Sequence, residues 1–218
     1  NQIQRVLAQD NIMGGIRCLT RISTIQRVLI QQVDILETMT PNEFNRFRSN
    51  LNPASGFQSY QFRVLEFRLG LKTEAHFKFY THDPKAHGKL EEALAAPSLY
   101  DHFLAYMKRE GFSIPEELLK RDVRQPHELN EDLVGIFQEI YENADQYYQY
   151  YMMLEGLVDL DEFLILWRYR HVQMVRRMIG DMGGTGGSLG AKYLQSTLSK
   201  NAFPELWAVR NRLSQSIN

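Results

Sequence analysis

One histidine of the chain stands where a buried ligand group is expected. Apolar residues flank His171 at four and seven positions on either side, namely Leu164, Trp167, Val175 and Met178. This spacing places His171 on the apolar stripe of a predicted helix, facing the core. Two interpretations stay open: a core histidine with hydrogen-bonded nitrogens, which spacing alone favours, or a single axial ligand of a haem iron. A zinc site is less favoured, because no other histidine lies within helical reach of His171.

A second candidate site is predicted around an arginine and its neighbours along the chain: Phe44, Arg48, Leu51, Ser55 and Gly56. The first three are spaced by four and three residues, so they share one face of a short helix. An arginine between apolar neighbours needs an anion, and the free N–H groups of a helix that begins at Ser55 also favour one. These residues together therefore predict a pocket that binds a carboxylate. The simpler alternative, a surface Arg48 that pairs with Glu43 or Asp34, stays open.

The third candidate is a glycine-rich segment, because residues 180–190 hold six of the chain's 14 glycines. It does not match a phosphate-binding loop: Leu189 stands where the third glycine of a G-x-G-x-x-G motif would be, and no Gly-Lys-Ser/Thr follows. Two interpretations remain, a flexible connector between helices or a backbone that approaches a ligand closely, with Thr185 and Ser188 supplying hydroxyl groups.

The elements that must position these residues are predicted to be helices. Apolar residues recurring at threes, fours and sevens predict one long helix over residues 11–38. Capping boxes at Thr40 and Ser55 start two more helices, the second reaching residue 71. Further helices are predicted over residues 88–95, 98–110, 130–155, 160–179, 188–200 and 204–215, with a polar loop over 76–87 and a connector over 112–127.

Asp159 and Asp161 are predicted to lie at the start of the 160–179 helix, where they would complement its dipole. No alternating strand of convincing length is found. The predicted fold class is therefore all-α: a single helical-bundle domain over residues 1–218, with two or three long helices and several short ones.

Composition narrows the class of partner. The 25 Lys and Arg residues balance 26 Asp and Glu residues, which argues against a dedicated nucleic-acid binder. No run approaches the roughly 18 apolar residues of a membrane span, so no membrane partner is expected. The single cysteine, Cys18, excludes an internal disulfide and suits the cytoplasm. Because the chain opens on Asn1 rather than methionine, we expect a longer protein with further N-terminal residues.

Six motifs stand in one order along the chain: Thr38-Met39-Thr40-Pro41, Phe47-Arg48, Ser55-Gly56-Phe57-Gln58, Trp167-Arg168-Tyr169-Arg170-His171, Thr185-Gly186-Gly187-Ser188 and Phe203-Pro204-Glu205-Leu206-Trp207. In this order and spacing, over about residues 11 to 210, the chain resembles the tryptophan 2,3-dioxygenase family. The resemblance implies an all-helical, haem-dependent homotetramer. Such enzymes insert both atoms of O2 across the indole C2–C3 bond of L-tryptophan and give N-formylkynurenine, the first step of tryptophan degradation by the kynurenine route.

Carried over residue by residue, the resemblance implies that His171 is the axial ligand of the iron of haem b. It implies that Arg48 clamps the substrate carboxylate, with Thr185 near the amino-acid end of the substrate. The pocket would be lined by Phe44, Leu51, Ser55 and Gly56.

The sequence departs from the family pattern in three ways. Members of the family use N-terminal residues of a neighbouring subunit to close the pocket, and the corresponding residues are not in this sequence. The family's His-Gln-x-x-Glu-Leu-Trp-like segment, whose histidine contacts the indole N–H, is not in this chain, so no catalytic side chain is identified. In the glycine-rich segment, Met182 stands where a lysine is usual and Leu189 where a second serine is common. These departures keep an alternative open: a catalytically divergent or inactive relative that binds haem or indoles.

Overall fold

The computed structural model describes residues 2–52, 56–180, 182–183 and 191–215, and all regular structure within these ranges is helical. The α-helices are α1 (Gln2–Ala8), α2 (Ile12–Leu36), α3 (Pro41–Arg48), α4 (Tyr60–Leu69), α5 (Pro84–Ala95), α6 (Leu99–Arg109), α7 (Glu116–Lys120), α8 (Glu131–Glu142), α9 (Tyr148–Ile179), α10 (Ala191–Gln195) and α11 (Pro204–Gln215). Short 3-10 turns occupy Ser49–Leu51, Gly56–Gln58 and Glu74–Phe79. The predicted all-α class is confirmed, whereas the single domain over 1–218 stays a prediction.

The two long helices, α2 and α9, pack along each other and organise the rest. Gly156 of α9 permits their close approach, because a Cβ atom there would lie 2.9 Å from Cδ1 of Leu19 on α2. Asn11 begins α2 by accepting a hydrogen bond from the Gly14 N–H at 2.7 Å. None of the described helices is both long enough and apolar enough to cross a bilayer.

The main core gathers α1, α6, α8, α11, residues 12–19 of α2 and residues 153–164 of α9, and we call this part of the molecule the packed end. Phe103, Phe137 and Phe203 have no exposed surface there. The buried Glu205 carboxylate ties three elements together: it accepts hydrogen bonds from the Tyr100 hydroxyl and the Asn130 N–H, both at 2.9 Å, and contacts His127 Nε2 at 2.6 Å.

We call the other part the site end: α3, α4, residues 25–36 of α2 and residues 167–179 of α9. Here α2 has few neighbours besides α9. Large apolar side chains of α2 are consequently exposed, namely Ile25, Val28, Leu29, Ile35 and Leu36. On its other side, α4 packs against α5 in a separate small core that includes Phe67 and Leu90.

The predicted break near residues 155–160 is wrong. α8 ends at Glu142, and α9 then runs without interruption for 32 residues. Asp159 and Asp161 therefore lie within α9 rather than at a helix start. Asp161 is buried, and its carboxylate accepts hydrogen bonds from the Trp207 Nε1–H at 2.9 Å and the Ala202 N–H at 3.0 Å. It anchors the start of α11 instead of complementing a dipole.

Local signals predicted other boundaries well. The capping box predicted at Thr40 is present, and the helices predicted from residues 98 and 130 begin with caps at Ser98 and Asn130. The helix expected from Ser55 is wrong, because α4 begins at Tyr60. The expected polar loop over 76–87 holds a 3-10 turn and the first turn of α5, capped by Asp83. Two other predictions were also too simple: the connector over 112–127 contains α7, and the helix over 188–200 corresponds to the shorter α10.

Candidate functional site

His171 lies one turn beyond Trp167 on α9, half-buried at the site end. Its ring stacks on the Trp167 ring, with centroids 5.2 Å apart and planes 18° from parallel. Trp167 also contacts Phe62 of α4, with ring centroids 5.0 Å apart and planes tilted by 36°. Three aromatic rings from two helices are therefore in contact in a row that ends at His171.

The imidazole of His171 has no hydrogen-bond partner within the described residues. Burial lowers its pKa, because desolvation disfavours the charged ring. The side chain is therefore neutral at neutral pH and keeps a nitrogen lone pair available for a ligand. The hydrogen bonds that the interpretation as a core histidine requires are not found among the described residues. The fully buried line of α9 runs one position to the side, through Leu164, Arg168 and Val172.

Arg48 closes α3 and faces the start of the glycine-rich segment. Its Nη2 donates to the carbonyl oxygen of Gly183 at 2.7 Å, and its Nη1 lies 3.8 Å from the sulfur of Met182. The two carboxylates of the alternative interpretation are engaged elsewhere. Glu43 accepts a hydrogen bond from the Thr40 N–H at 2.7 Å in the capping box, and Asp34 pairs with Arg170. Within the described residues, Arg48 therefore has no carboxylate partner.

The other predicted pocket residues are only partly placed. Phe44 is half-buried on α3 and contacts Phe47 edge to face, with ring centroids 5.3 Å apart. Leu51 is 40% exposed, and Gly56 opens a short 3-10 turn. Because α4 begins only at Tyr60, no helix N-terminus at Gly56 supplies the predicted free N–H groups. Ser55, Thr185 and Ser188 lie outside the described residues.

A buried ion-pair network beside His171 was missed by the sequence interpretation. Glu66 of α4 pairs with Arg63 one turn earlier on the same helix. Its other carboxylate oxygen lies 2.7 Å from Nη2 of Arg168 on α9. Arg168 Nη1 also donates to the carbonyl oxygens of Thr197 at 3.3 Å and Lys200 at 3.1 Å. The Arg–Glu spacing of three within α4 was the only local signal of this network.

His76 is buried close to this network. Burial, reinforced by the positive charge of Arg63, lowers its pKa to about 4, so the ring stays neutral. The described residues contain no group of three or more His, Cys, Asp or Glu side chains that could hold a metal ion by themselves. A surface concavity of about 360 Å³, lined by Gln173, Arg176, Arg177 and Gly180, lies on the face of α9 away from His171.

These features define an all-helical protein in which one end of the molecule holds a neutral histidine with no hydrogen-bond partner, and an arginine with no carboxylate partner, among the described residues. Comparison with known proteins identifies the group to which it belongs. The family model described as tryptophan 2,3-dioxygenase matches residues 2–137 and 116–213. The chain belongs to the tryptophan 2,3-dioxygenase family.

Individual relatives agree over nearly the whole chain. A tryptophan 2,3-dioxygenase of Bacillus thuringiensis (strain Al Hakam) is 44% identical over 207 residues, which cover 95% of this chain and 74% of the relative. Those of Serratia proteamaculans (strain 568) and Myxococcus xanthus (strain DK1622) are 44% and 42% identical, covering 97% and 96% of this chain and 76% and 72% of the relatives. The family assignment made from the sequence motifs is confirmed.

Proposed function

We propose that the protein is a haem-dependent dioxygenase that inserts O2 across the indole C2–C3 bond of L-tryptophan and releases N-formylkynurenine. The match to proteins named tryptophan 2,3-dioxygenase over 95% of the chain carries this proposal. The geometry at the site end supports it, because the proposed iron ligand and the proposed carboxylate clamp lie on helices in mutual contact, α3 and α9.

His171 would hold the cofactor, haem b. A porphyrin supplies four nitrogen ligands to its own iron, so the protein needs to contribute only one axial imidazole. His171 fits this requirement because it is neutral, has no hydrogen-bond partner among the described residues and is oriented by the Trp167 ring. When bound, haem supplies the chemistry of O2 activation, for which no side chain is suited.

Arg48 would orient the substrate. Its guanidinium is anchored by Gly183 in the absence of a carboxylate, and a forked guanidinium binds a carboxylate with two parallel hydrogen bonds. We assign Phe44 and Leu51 to the apolar wall of the pocket, with Ser55, Gly56 and Thr185 as further lining residues. Holding the indole at one angle and distance lowers the entropic part of the barrier to reaction.

We further propose a cytoplasmic homotetramer. The exposed apolar residues of α2, from Ile25 to Leu36, form a surface of the kind that subunit contacts cover. Sedimentation of the haem-loaded protein tests this assignment. A tetramer is expected, and a monomer at micromolar concentration would contradict it.

His171→Ala tests the proposed function. We expect the variant to lose the Soret spectrum of histidine-ligated haem and to form no N-formylkynurenine, while His82→Ala, at an exposed histidine, behaves as the parent protein. A His171→Ala variant that keeps an unchanged Soret spectrum at full haem occupancy would contradict the assignment of His171 as the iron ligand. If the parent binds haem and tryptophan but forms no product, the alternative holds instead: a catalytically divergent binder of haem or indoles.

A further inference from the structure

The junction between α4 and α9 consists of side chains rather than closely packed backbones. Two contacts are adjacent on α9 and one turn apart on α4: the Phe62 ring contacts the Trp167 ring, with centroids 5.0 Å apart, and Glu66 pairs with Arg168 at 2.7 Å. Because the α9 partners are neighbours in sequence, the two contacts fix both the rotation of α9 about its axis and its height relative to α4.

The two contacts are joined into one closed circuit by Arg63. Its guanidinium lies over the Phe62 ring, with Cζ 5.3 Å from the ring centroid, and it pairs with Glu66. The described circuit thus contains one carboxylate, that of Glu66, and this carboxylate pairs with both arginines. Glu66 is 6% exposed. Trp167, which belongs to the circuit, stacks in turn on His171.

Arg168 extends the circuit to a third piece of the chain. Its Nη1 donates to the carbonyl oxygens of Thr197 and Lys200, in the segment that follows the glycine-rich residues and α10. These carbonyl dipoles offset part of the positive charge that one glutamate between two arginines leaves buried. One side chain therefore ties α4, α9 and the segment after α10.

Stability alone does not account for this arrangement. A buried ion pair gains little over well-packed apolar side chains, because desolvation of the charges offsets their attraction. What ionic groups add is direction, since a bidentate carboxylate accepts only from donors at defined angles. The network therefore sets geometry more than it adds to the free energy of unfolding.

We propose that Glu66 is a positioning residue for His171: by holding Arg63 and Arg168 on its two carboxylate oxygens, it fixes the angle at which α9 presents the Trp167–His171 stack to the ligand pocket. This inference rests on the proposed role of His171 as an axial ligand. It adds that the orientation of the His171 side chain is determined from α4, through the contact of Glu66 with Arg168, which lies 102 positions further along the chain.

The experiment compares the parent with Glu66→Gln and Arg168→Lys in the haem-loaded ferrous state. Arg168→Lys keeps the buried positive charge but loses the forked geometry. Three quantities are measured: the iron–histidine stretching band by resonance Raman spectroscopy, haem affinity by Soret titration, and hydrogen exchange of residues 197–200. We expect both variants to shift or split the band, to weaken haem binding roughly 10-fold, and to exchange faster at 197–200.

Glu155→Gln is the matched control. Glu155 lies on the same helix, α9, and also bridges two other helices, accepting from the Tyr141 hydroxyl and from Arg210, both at 2.5 Å. We expect it to lower thermal stability while leaving the iron–histidine band and haem affinity unchanged. A purely structural role for Glu66 would make all three variants alike once matched for loss of stability.

The outcomes separate this inference from the proposed function. If the parent has no iron–histidine band that His171→Ala removes, the proposed function fails. If that band exists but a folded Arg168→Lys variant keeps its frequency, its width and the parent haem affinity, only the positioning role is overturned. Should Arg168→Lys not fold, Glu66→Asp decides by the same criterion, because its shorter carboxylate keeps the charge but cannot reach both arginines.

Discussion

The packed end and the site end are held together by different forces. At the packed end, fully buried aromatic and aliphatic side chains of six helices meet in one core. At the site end, Ile35 is 68% exposed, and α4 and α9 are joined by one ring contact and one ion-pair network. Apolar burial supplies stability without direction, whereas ion pairs and ring stacks supply direction with little stability. The site is thus built where orientation, not burial, is controlled.

The largest expected effect tests where stability resides. Phe137→Ala removes a ring with no exposed surface from the packed end and should lower the free energy of unfolding by about 3–5 kcal/mol, measured by urea unfolding. Leu65→Ala, at a 47% exposed position of the site end, should change it by less than about 0.5 kcal/mol. Equal losses in the two variants would remove the distinction between the two ends.

The next effect concerns binding at the site end. Arg48→Lys loses the fork that the proposed carboxylate contact needs and should weaken L-tryptophan binding by roughly 3 kcal/mol, on the order of 100-fold. Tryptamine, which lacks the carboxylate, should bind the variant and the parent alike. Calorimetry on the haem-loaded protein measures both affinities.

Arg46→Lys is the control for this comparison, because Arg46 is exposed on the same helix as Arg48. Arg63 is unsuitable as a control, since it is buried in the ion pair with Glu66. A variant Arg48→Lys that still prefers tryptophan over tryptamine as strongly as the parent would place the carboxylate contact elsewhere.

A third effect is the pH dependence of the site end. The pKa of His76 falls from 6.5 in the unfolded chain to about 4 in the native state, so between these values the unfolded chain binds more protons. Protonation therefore destabilises the native state progressively as the pH falls from 6.5 towards 4, and it has almost no effect above pH 6.5. Between pH 7.5 and pH 5 the resulting loss in the free energy of unfolding is about 2 kcal/mol.

His76→Gln should abolish this share of the pH dependence in urea unfolding, and His82→Gln, at an exposed histidine, should keep it. An identical pH profile in both variants would mean that acid sensitivity does not originate beside the Arg63–Glu66 pair.

The smallest expected effect concerns the packing of α2 against α9 within the packed end. At Gly156, an alanine Cβ would come within 2.9 Å of Leu19, so Gly156→Ala should destabilise by about 1–2 kcal/mol in spite of the better helix propensity of alanine. At Gly88 of α5, nothing lies within 4 Å of the added atom, and Gly88→Ala should stabilise by about 0.5–1 kcal/mol. Thermal unfolding compares the two variants, and a stabilising Gly156→Ala would mean that α2 and α9 pack more loosely.

Helix ends that are determined by residues close in sequence could be predicted from the sequence. The capping box predicted at Thr40 is present, and the helix predicted from residue 98 begins there, with a capping box of its own at Ser98. The false break in α9 has the opposite origin. Gly156 and Asp161 look like the end of one helix and the start of another, but their roles depend on Leu19 and on Trp207, which are remote in sequence.

The candidate site divides in the same way. His171 and Arg48 could be singled out because periodicity marks them against apolar neighbours. The partner of Arg48, the Gly183 carbonyl, lies 135 positions away, and no spacing rule connects the two. The burial of His76 was missed because its surroundings read as a polar loop, and only the fold brings Arg63 against it.

The length of α9 would couple the release of a group held by His171 to the unfolding of the core. At 1.5 Å per residue, its 32 residues form a rod of about 48 Å that carries Leu157 in the core and His171 at the other end. A group held by His171 is thermodynamically coupled to melting of that core, since binding to the native state alone adds RT ln(1 + [L]/Kd) to stability. Unfolding of the packed end would then release the group, and the midpoint of unfolding would rise with ligand concentration.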